Sequence, residues 1–180
     1  MAKKATGIIR RIDELGRIVI PKEIRRTLKM REGEPLEIFV DHNGEVVFKK
    51  YSPVGELSEF AESYAESLRK STGHVTLISD LDEIVASAGS KSHLRKDIGE
   101  AIENCMLMRK SILETNLFKR EIAKGIEQAA SYTSAPIITD QGDLVGAVTL
   151  FSEDKDMKLG AAERKLVEVA ANFLATQMAN

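Results

Sequence analysis

The chain of 180 residues contains few or none of several residue types, and each shortage excludes a class of protein. It contains one cysteine and no tryptophan, so an intrachain disulfide is impossible and a disulfide-rich scaffold is excluded. No apolar run approaches the roughly 20 residues that a membrane-crossing helix needs. The start, MAKK, does not lead into the apolar stretch of a signal peptide. These shortages predict a cytoplasmic protein with no membrane partner.

Residue types that carry out catalysis or bind metals are also few and scattered. His42, His74 and His93 have no second histidine or cysteine at a ligand spacing, so we expect no metal site. Cys105 lies within a predicted helix, where a buried, inert thiol is expected rather than a nucleophile. No glycine-rich phosphate loop follows a strand. The sequence therefore predicts no enzyme, no metal and no cofactor.

Charge is distributed unevenly along the chain, although the net charge is only −2. Residues 1–50 carry twelve Lys or Arg against eight Asp or Glu, a net charge of +4, which leaves −6 for the remainder. Such asymmetry is typical of a basic module that meets nucleic acid, joined to an acidic body with another task.

The first 51 residues predict the order strand, turn, strand, helix, strand, turn, strand. Runs rich in β-branched residues at 8–12 and 17–20 flank a turn, and Pro21 suits the first turn of a short helix. Two more strands, at 36–40 and 45–49, flank an Asn-Gly pair that favours a hairpin. A unit of about 50 residues buries too little apolar surface to be stable alone. We therefore expect a homodimer in which two copies complete one core.

The short helix is predicted to be apolar on one side and cationic on the other. Ile24 and Leu28 are four residues apart and share one face. At about 100° per residue, the opposite face carries Lys22, Arg25, Arg26 and Lys29. A guanidinium offers a planar fork of donors that matches phosphate oxygens and the guanine edge. A solvated basic rim is the alternative interpretation.

Five arginines on so small a unit favour a DNA-binding surface over a solvated rim. The candidates, called the arginine surface below, are Arg10, Arg11, Arg17, Arg25 and Arg26. Alternation along a strand places Arg10 and Arg11 on opposite sides and leaves open which of them faces the ligand. Asp13 and Glu14 are expected to shape the adjacent turn and to pair with the arginines.

The stretch ATGIIRRIDELGRIVIPKEIRRTLKMREGEPLEIFVDHNGEVVFKKY, residues 5–51, resembles the swapped-hairpin DNA-binding domain of AbrB-like bacterial transition-state regulators. The resemblance implies an intertwined, barrel-like β dimer with a short helix, and double-stranded DNA as the partner. The DNA-contacting arginines of that family fall on Arg10, Arg17, Arg25 and Arg26. Arg11 lies at another basic position and is the fifth candidate.

The remainder predicts a second domain at 57–180, joined to the first domain, 1–51, through a linker at 52–56. Strands are expected at 75–79, 83–88, 111–115, 132–139 and 144–152, with helices at 57–68, 91–110 and 161–178. The fold class is α+β, an antiparallel sheet flanked by helices. The last helix has two apolar stripes, so packing on its own sheet and packing between subunits are both open. The stripes are Ala162, Leu166, Val169 and Phe173, and Val167, Ala170, Leu174 and Met178.

Stretches such as YSPVGELSEFAESYA and APIITDQGDLVGAVTLFS extend the resemblance to sporulation regulators in which an AbrB-like domain precedes a GAF-like domain. This implies a nucleoid-associated transcription factor that forms a homotetramer through the flanking helices. It also implies a candidate site for an unknown small-molecule ligand in the GAF-like domain, although an exposed polar face is the simpler reading. The polar candidates are Ser92, His93, Asn104, Arg109, Lys119 and Arg120. An antitoxin-like protein-interaction module is the alternative function.

Overall fold

A computed structural model describes residues 6–115, 120–126 and 129–178. The chain divides into two compact units, Met1–Tyr51 and Ser52–Asn180. Within the described ranges, no helix is long and apolar enough to cross a membrane.

The first unit contains one short helix and one hairpin. Helix α1 spans Lys22–Thr27, and strands β1 (Leu36–Val40) and β2 (Val46–Lys50) pair antiparallel. In the connecting turn, Asp41 Oδ1 accepts the backbone N–H groups of Asn43 and Glu45 at 2.9 and 3.0 Å. Gly44 there has a φ of +77°, which favours glycine. The Asn-Gly hairpin is therefore confirmed.

The strands expected at 8–12 and 17–20 do not form within the single chain. Between residues 6 and 20 the structure has a turn at 14–16 and no strand. A strand exists only where its backbone N–H and C=O groups pair with a neighbouring strand. The described part of this chain supplies no such neighbour to either segment, which explains the difference.

The described part of the first unit has no core of its own. None of its described residues is buried, and Ile9 and Val19 are 87% and 73% exposed. In α1 even Ile24, on the predicted apolar face, is only half-buried. This exposure agrees with the expectation that the unit is too small to be stable alone.

The second unit is a five-stranded antiparallel sheet with helices on both faces, which confirms the α+β class. The strand order is β4-β3-β7-β6-β5. Its elements are α2 (Pro53–Glu56), α3 (Ser58–Thr72), β3 (Val75–Ser79), β4 (Ile84–Ala88), α4 (Glu100–Met108), β5 (Ile112–Glu114), β6 (Ser131–Ile138), β7 (Leu144–Ser152) and α5 (Ala161–Met178).

Two apolar clusters lie on opposite faces of this sheet. Helices α3 and α5 cover one face, where Ala65, Ile78 and Leu174 are fully buried. On the other face α4 and the segment 120–126 cover Leu77 and Phe151. The sheet is therefore the middle layer of three.

The segment 52–56, expected to be a linker, belongs to the second unit. Ser52 Oγ accepts the N–H of Gly55 at 3.0 Å and caps α2, with proline at the first position of the helix. Val54 is fully buried in the cluster under α3 and α5. A capped turn with a buried valine replaces the linker.

The helix expected at 91–110 is shorter than predicted. A single 3-10 turn at Lys91–His93 comes first, and α4 begins only at Glu100. Between them, single bridges pair Asp97 with Glu83 and Ile98 with Ala123. A side chain at Gly99 would collide with the carbonyl of Glu121. The chain is extended here because it pairs with two other segments, which helical periodicity does not show.

Candidate nucleic-acid interface

Arg25 and Arg26 project from the last turn of α1, and both are exposed. The helix ends because Lys29 takes a left-handed conformation, with a φ of +52°. The carbonyl of Lys29 accepts a hydrogen bond from Lys50 Nζ at 2.7 Å, and Lys50 pairs with Glu34 at 3.3 Å. These contacts tie the end of α1 to strand β2, so the hairpin positions the two arginines.

Arg17 is held by the turn that precedes it. Asp13 Oδ2 accepts the Arg17 Nε–H at 2.8 Å, and Asp13 Oδ1 accepts the backbone N–H groups of Arg17 and Leu15 at 2.8 and 3.0 Å. The Arg17 backbone bond, then its guanidinium, holds the pKa of Asp13 below its usual value of 3.8. The prediction that Asp13 and Glu14 shape the turn and pair with the arginines is confirmed for Asp13 and stays a prediction for Glu14.

Arg10 and Arg11 lie in the preceding segment, and both side chains are exposed. Arg10 Nη1 donates to the carbonyl of Ile9 at 3.0 Å. All five members of the arginine surface are thus open to solvent, and they come from three places: the first segment, the turn and α1.

The polar candidates of the second unit do not form one site. Arg109 Nη2 donates to the carbonyl of Gly142 at 2.6 Å, and Ser92 bonds Ser90 through their hydroxyls at 2.7 Å. His93 is buried against Phe151, with 5.9 Å between ring centroids. Asn104 is half-buried on α4, and Lys119 lies outside the described residues.

Arg120 is the candidate that meets a charged partner. Its Nη1 lies 3.8 Å from Glu114 Oε1, and Glu114 is directly opposite Tyr132 in the β5–β6 ladder. Sequence reasoning missed Glu114 and Tyr132. The available signal was a carboxylate inside a short apolar strand, but its neighbour depends on the register between distant strands.

The Cys105 thiol matches its expected role. Cys105 is fully buried, and burial raises its pKa to about 11, so the thiol is protonated and inert at neutral pH. Among the residues that the structure describes, no three His, Cys, Asp or Glu side chains lie where they could hold a metal ion.

Two families match the two parts of the chain. Residues 56–179 match the family described as stage V sporulation protein T C-terminal, transcription factor. Residues 9–56 match the family described as antidote-toxin recognition MazE, bacterial antitoxin.

The chain is also similar to individual proteins. Stage V sporulation protein T of Bacillus subtilis (strain 168) is 54% identical over 178 residues, which cover 97% of this chain and 98% of that protein. The transition state regulatory protein AbrB of the same organism is 40% identical over 87 residues, covering 48% and 90% of the two chains.

A solved GAF domain, from a phosphoenolpyruvate-protein phosphotransferase of Coxiella burnetii, covers 68% of this chain and 82% of its own, with a TM-score of 0.52. At 18% identity, this likeness shows a GAF-type fold and nothing about ligands. The end-to-end identity and the matched C-terminal family together show that the chain belongs to the stage V sporulation protein T family.

Proposed function

We propose that the chain is a DNA-binding regulator of sporulation genes that grips duplex DNA through the arginine surfaces of two copies. The observation that carries the proposal is the first unit itself: all five members of the arginine surface are exposed, and none of the unit's described residues is buried. The similarity to AbrB over the first half of the chain supports the same role.

The dimer follows from the exposed apolar surface of the first unit. In its described part, fourteen large hydrophobic side chains are between 38% and 87% exposed. Apolar exposure on this scale marks an interaction surface. A second copy supplies strand neighbours to residues 8–12 and 17–20 and buries these side chains. Such a symmetric pair also doubles the arginine surface.

The arginines act chiefly by neutralising phosphates. Arg10, Arg17, Arg25 and Arg26 from two copies offer about eight phosphate contacts, and Arg11 adds to the field around them. Eight contacts on duplex DNA predict a slope of log affinity against log salt near −7 as an upper bound. A slope close to zero would contradict the proposal.

The test is DNA binding by the full chain beside Arg25→Ala and Arg26→Ala, with the mass in solution measured for each. We expect each variant to lose affinity and to lower the salt slope, with unchanged mass, because both side chains are exposed. Arg69→Ala is the matched control, since it removes the same charge from an exposed position in the second unit. Equal losses in all three variants would show a general charge effect and would overturn the arginine surface.

Recognition is proposed to tolerate many sequences and to depend on DNA shape and flexibility, with A·T-rich, bendable sites favoured. Few side chains of the first unit are placed to read base edges, whereas guanidinium groups suit phosphates. Selection of bound sites from a random pool should return a broad, A·T-rich set. A single sharp consensus would contradict this part of the proposal.

The second unit is proposed to join dimers into a homotetramer and to receive a chemical signal. Phe60, Tyr64 and Phe173 form an aromatic group on the outside of α3 and α5, with ring centroids 5.5 to 6.2 Å apart. Leu166 and Val169 extend this group along α5 and are also exposed. A second copy of the same helices is the occupant that would cover it.

An antitoxin-like protein-interaction module is the second candidate, because residues 9–56 match an antitoxin family. A long folded unit follows this segment, and the 54% identity spans nearly the whole chain, which favours the regulator. Gel filtration of the purified chain with cell lysate separates the two. A stoichiometric protein partner without nucleic acid would favour the alternative.

A further inference from the structure

Three buried polar atoms without hydrogen-bond partners lie along one row of the second unit. Glu114, Tyr132 and Phe151 stand opposite one another on the neighbouring strands β5, β6 and β7, and His93 packs against Phe151. Glu114 Oε2, the Tyr132 hydroxyl and His93 Nδ1 have no partner. Within the described residues only one other buried side-chain atom, Ser79 Oγ, is in that state. These four residues, Glu114, Tyr132, Phe151 and His93, are called the polar row below.

Such a concentration of unpaired atoms is costly and calls for a reason. A buried polar group without a partner costs about 1–3 kcal/mol, and more when it is charged. Folded proteins keep few of them, and each one calls for an explanation. Here three fall on the same face of the same sheet, whereas the opposite face is sealed by α3 and α5. A bound molecule that supplies the missing partners accounts for the grouping.

The row is built on fixed elements. Tyr132 is 2% exposed at the start of β6, and Phe151 is fully buried on β7. Arg120 approaches Glu114 from the segment 120–126, which is tied to the start of α4. The N–H groups of Gly99 and Ala101 donate to the carbonyls of Ile122 and Glu121 at 2.8 and 3.0 Å. These two hydrogen bonds fix the segment that carries Arg120 against the start of α4.

The hydrogen-bonding capacity of the unpaired atoms in the polar row determines which chemical groups a ligand must offer. A carboxylate only accepts hydrogen bonds, so Glu114 Oε2 needs a donor, and an ammonium group donates in three directions. Burial raises the pKa of Tyr132 to about 12, so its hydroxyl stays protonated and can donate to an oxygen. Arg120 lies 3.8 Å from the other oxygen of Glu114, so this carboxylate already has one cationic neighbour. A ligand with no net charge fits best, because a buried net charge is costly.

We propose that the polar row binds a small zwitterion of the amino-acid type, with its ammonium on Glu114 and its carboxylate facing Tyr132 and Arg120. The ligand's side chain lies over Phe151 toward His93. This inference rests on the proposed function for its regulatory meaning, because it names the signal that the regulator receives. Binding itself is independent of the arginine surface.

The test uses the full chain, with the free standard amino acids as probes and their N-acetyl derivatives as controls. We expect one or a few free amino acids, at millimolar concentration, to raise the thermal unfolding temperature, since a ligand that binds only the folded state stabilises it. The N-acetyl forms lack the ammonium and should have no effect. Calorimetric titration of each responding amino acid then gives its affinity.

Two variants locate the site, and a third is the control. Glu114→Gln and Tyr132→Phe should each weaken binding at least tenfold, whereas Glu103→Gln, at an exposed position on α4, should not. Tyr132→Phe should also leave the unliganded chain as stable as the parent or more so, because the lost hydroxyl has no partner. A purely structural tyrosine would show the opposite.

Several outcomes would overturn the inference. These are a panel without any response, an equal response to the N-acetyl derivatives, or full binding by Glu114→Gln. None of them touches DNA binding, which the arginine variants test separately. A regulator that binds DNA and ignores amino acids would thus leave the proposed function intact and remove the zwitterion site alone.

Discussion

At the scale of single residues, Asp13 shows how one carboxylate can prepare a cationic surface. Its two oxygens bind the backbone of the turn and the Arg17 side chain together. Because its pKa is lowered, this arrangement is fully present above about pH 4 and is lost as the pH falls through the lowered value. Arg17 is therefore held in place throughout the neutral range.

Replacing Asp13 distinguishes two effects on DNA binding: the loss of the contact that positions Arg17, and the removal of one negative charge. Asp13→Ala should weaken DNA binding by about threefold to tenfold, because Arg17 loses the contact that fixes it. Glu14→Ala is the control, since it removes an equal negative charge from the same turn and should bind DNA slightly more tightly. Titration of both variants with one duplex at one salt concentration gives the comparison. Tighter binding by both variants would mean that charge alone matters.

His93 provides a pH-dependent prediction. Burial, and then the nearby charge of Lys96, lower its pKa below the usual 6.5, and Glu153 opposes them weakly. The unfolded chain therefore takes up a proton first, and the free energy of unfolding should fall as the pH drops below about 6.5. Denaturant unfolding from about pH 7.5 to 5.5 should show a flatter profile for His93→Gln. Identical slopes would contradict the prediction.

The residues of the two candidate sites differ in how far the sequence could predict them. The arginines and Asp13 are close in sequence, so turn chemistry and helical spacing were enough to propose them. Glu114 and Tyr132 become neighbours only through the β5–β6 register, which involves strands about 18 residues apart. Local patterns carry no information about that pairing, and the polar row was therefore not predicted.

At the scale of elements, α5 confirms the prediction of two apolar stripes. Val167, Ala170 and Leu174 are fully buried on the sheet, while Leu166, Val169 and Phe173 are 38%, 53% and 41% exposed. Periodicity could predict both stripes because a regular helix presents its faces by geometry alone. The segment 91–99 failed the same test because bridges to other segments, rather than local propensity, determine its path.

Substitutions at two adjacent positions on α5 should affect different properties, the stability of the chain in one case and its assembly in the other. Leu174→Ala should lower the free energy of unfolding by roughly 2–5 kcal/mol, because it leaves a cavity in the core, and the assembly should keep its mass. Phe173→Ser should cost little stability within a chain and should reduce the proposed homotetramer to dimers. Light scattering and denaturant unfolding on the same samples give both quantities. An unchanged mass for Phe173→Ser would remove α5 from the proposed interface.

At the scale of the whole molecule, the two units are stabilised by different means. The second unit has an apolar cluster on each face of its sheet, whereas the described part of the first unit has no buried residue. Composition already predicted this contrast, because a unit of about 50 residues without disulfide or metal lacks material for a core. The small size of the first unit limits how much apolar surface one copy can bury, whatever the hydrophobic pattern of its sequence.

Dilution should therefore destabilise the first unit before the second. Hydrogen exchange measured by mass spectrometry on the intact chain should show faster exchange in peptides of β1 and β2 as the concentration falls. Peptides of β6 and β7, in the centre of the second unit, should keep their protection and are the internal control. Exchange in β1 and β2 that is independent of concentration would contradict the proposed dimer.

The bare apolar surface of the first unit also has a genetic consequence. If two chains must interlock before either is stable, a cell that makes intact and arginine-deficient copies together will assemble mixed pairs. Each mixed pair lacks the phosphate contacts of the arginine that its defective copy has lost, and it still occupies an intact chain. A defective allele at Arg25 would then act dominantly, by sequestering the products of the normal gene.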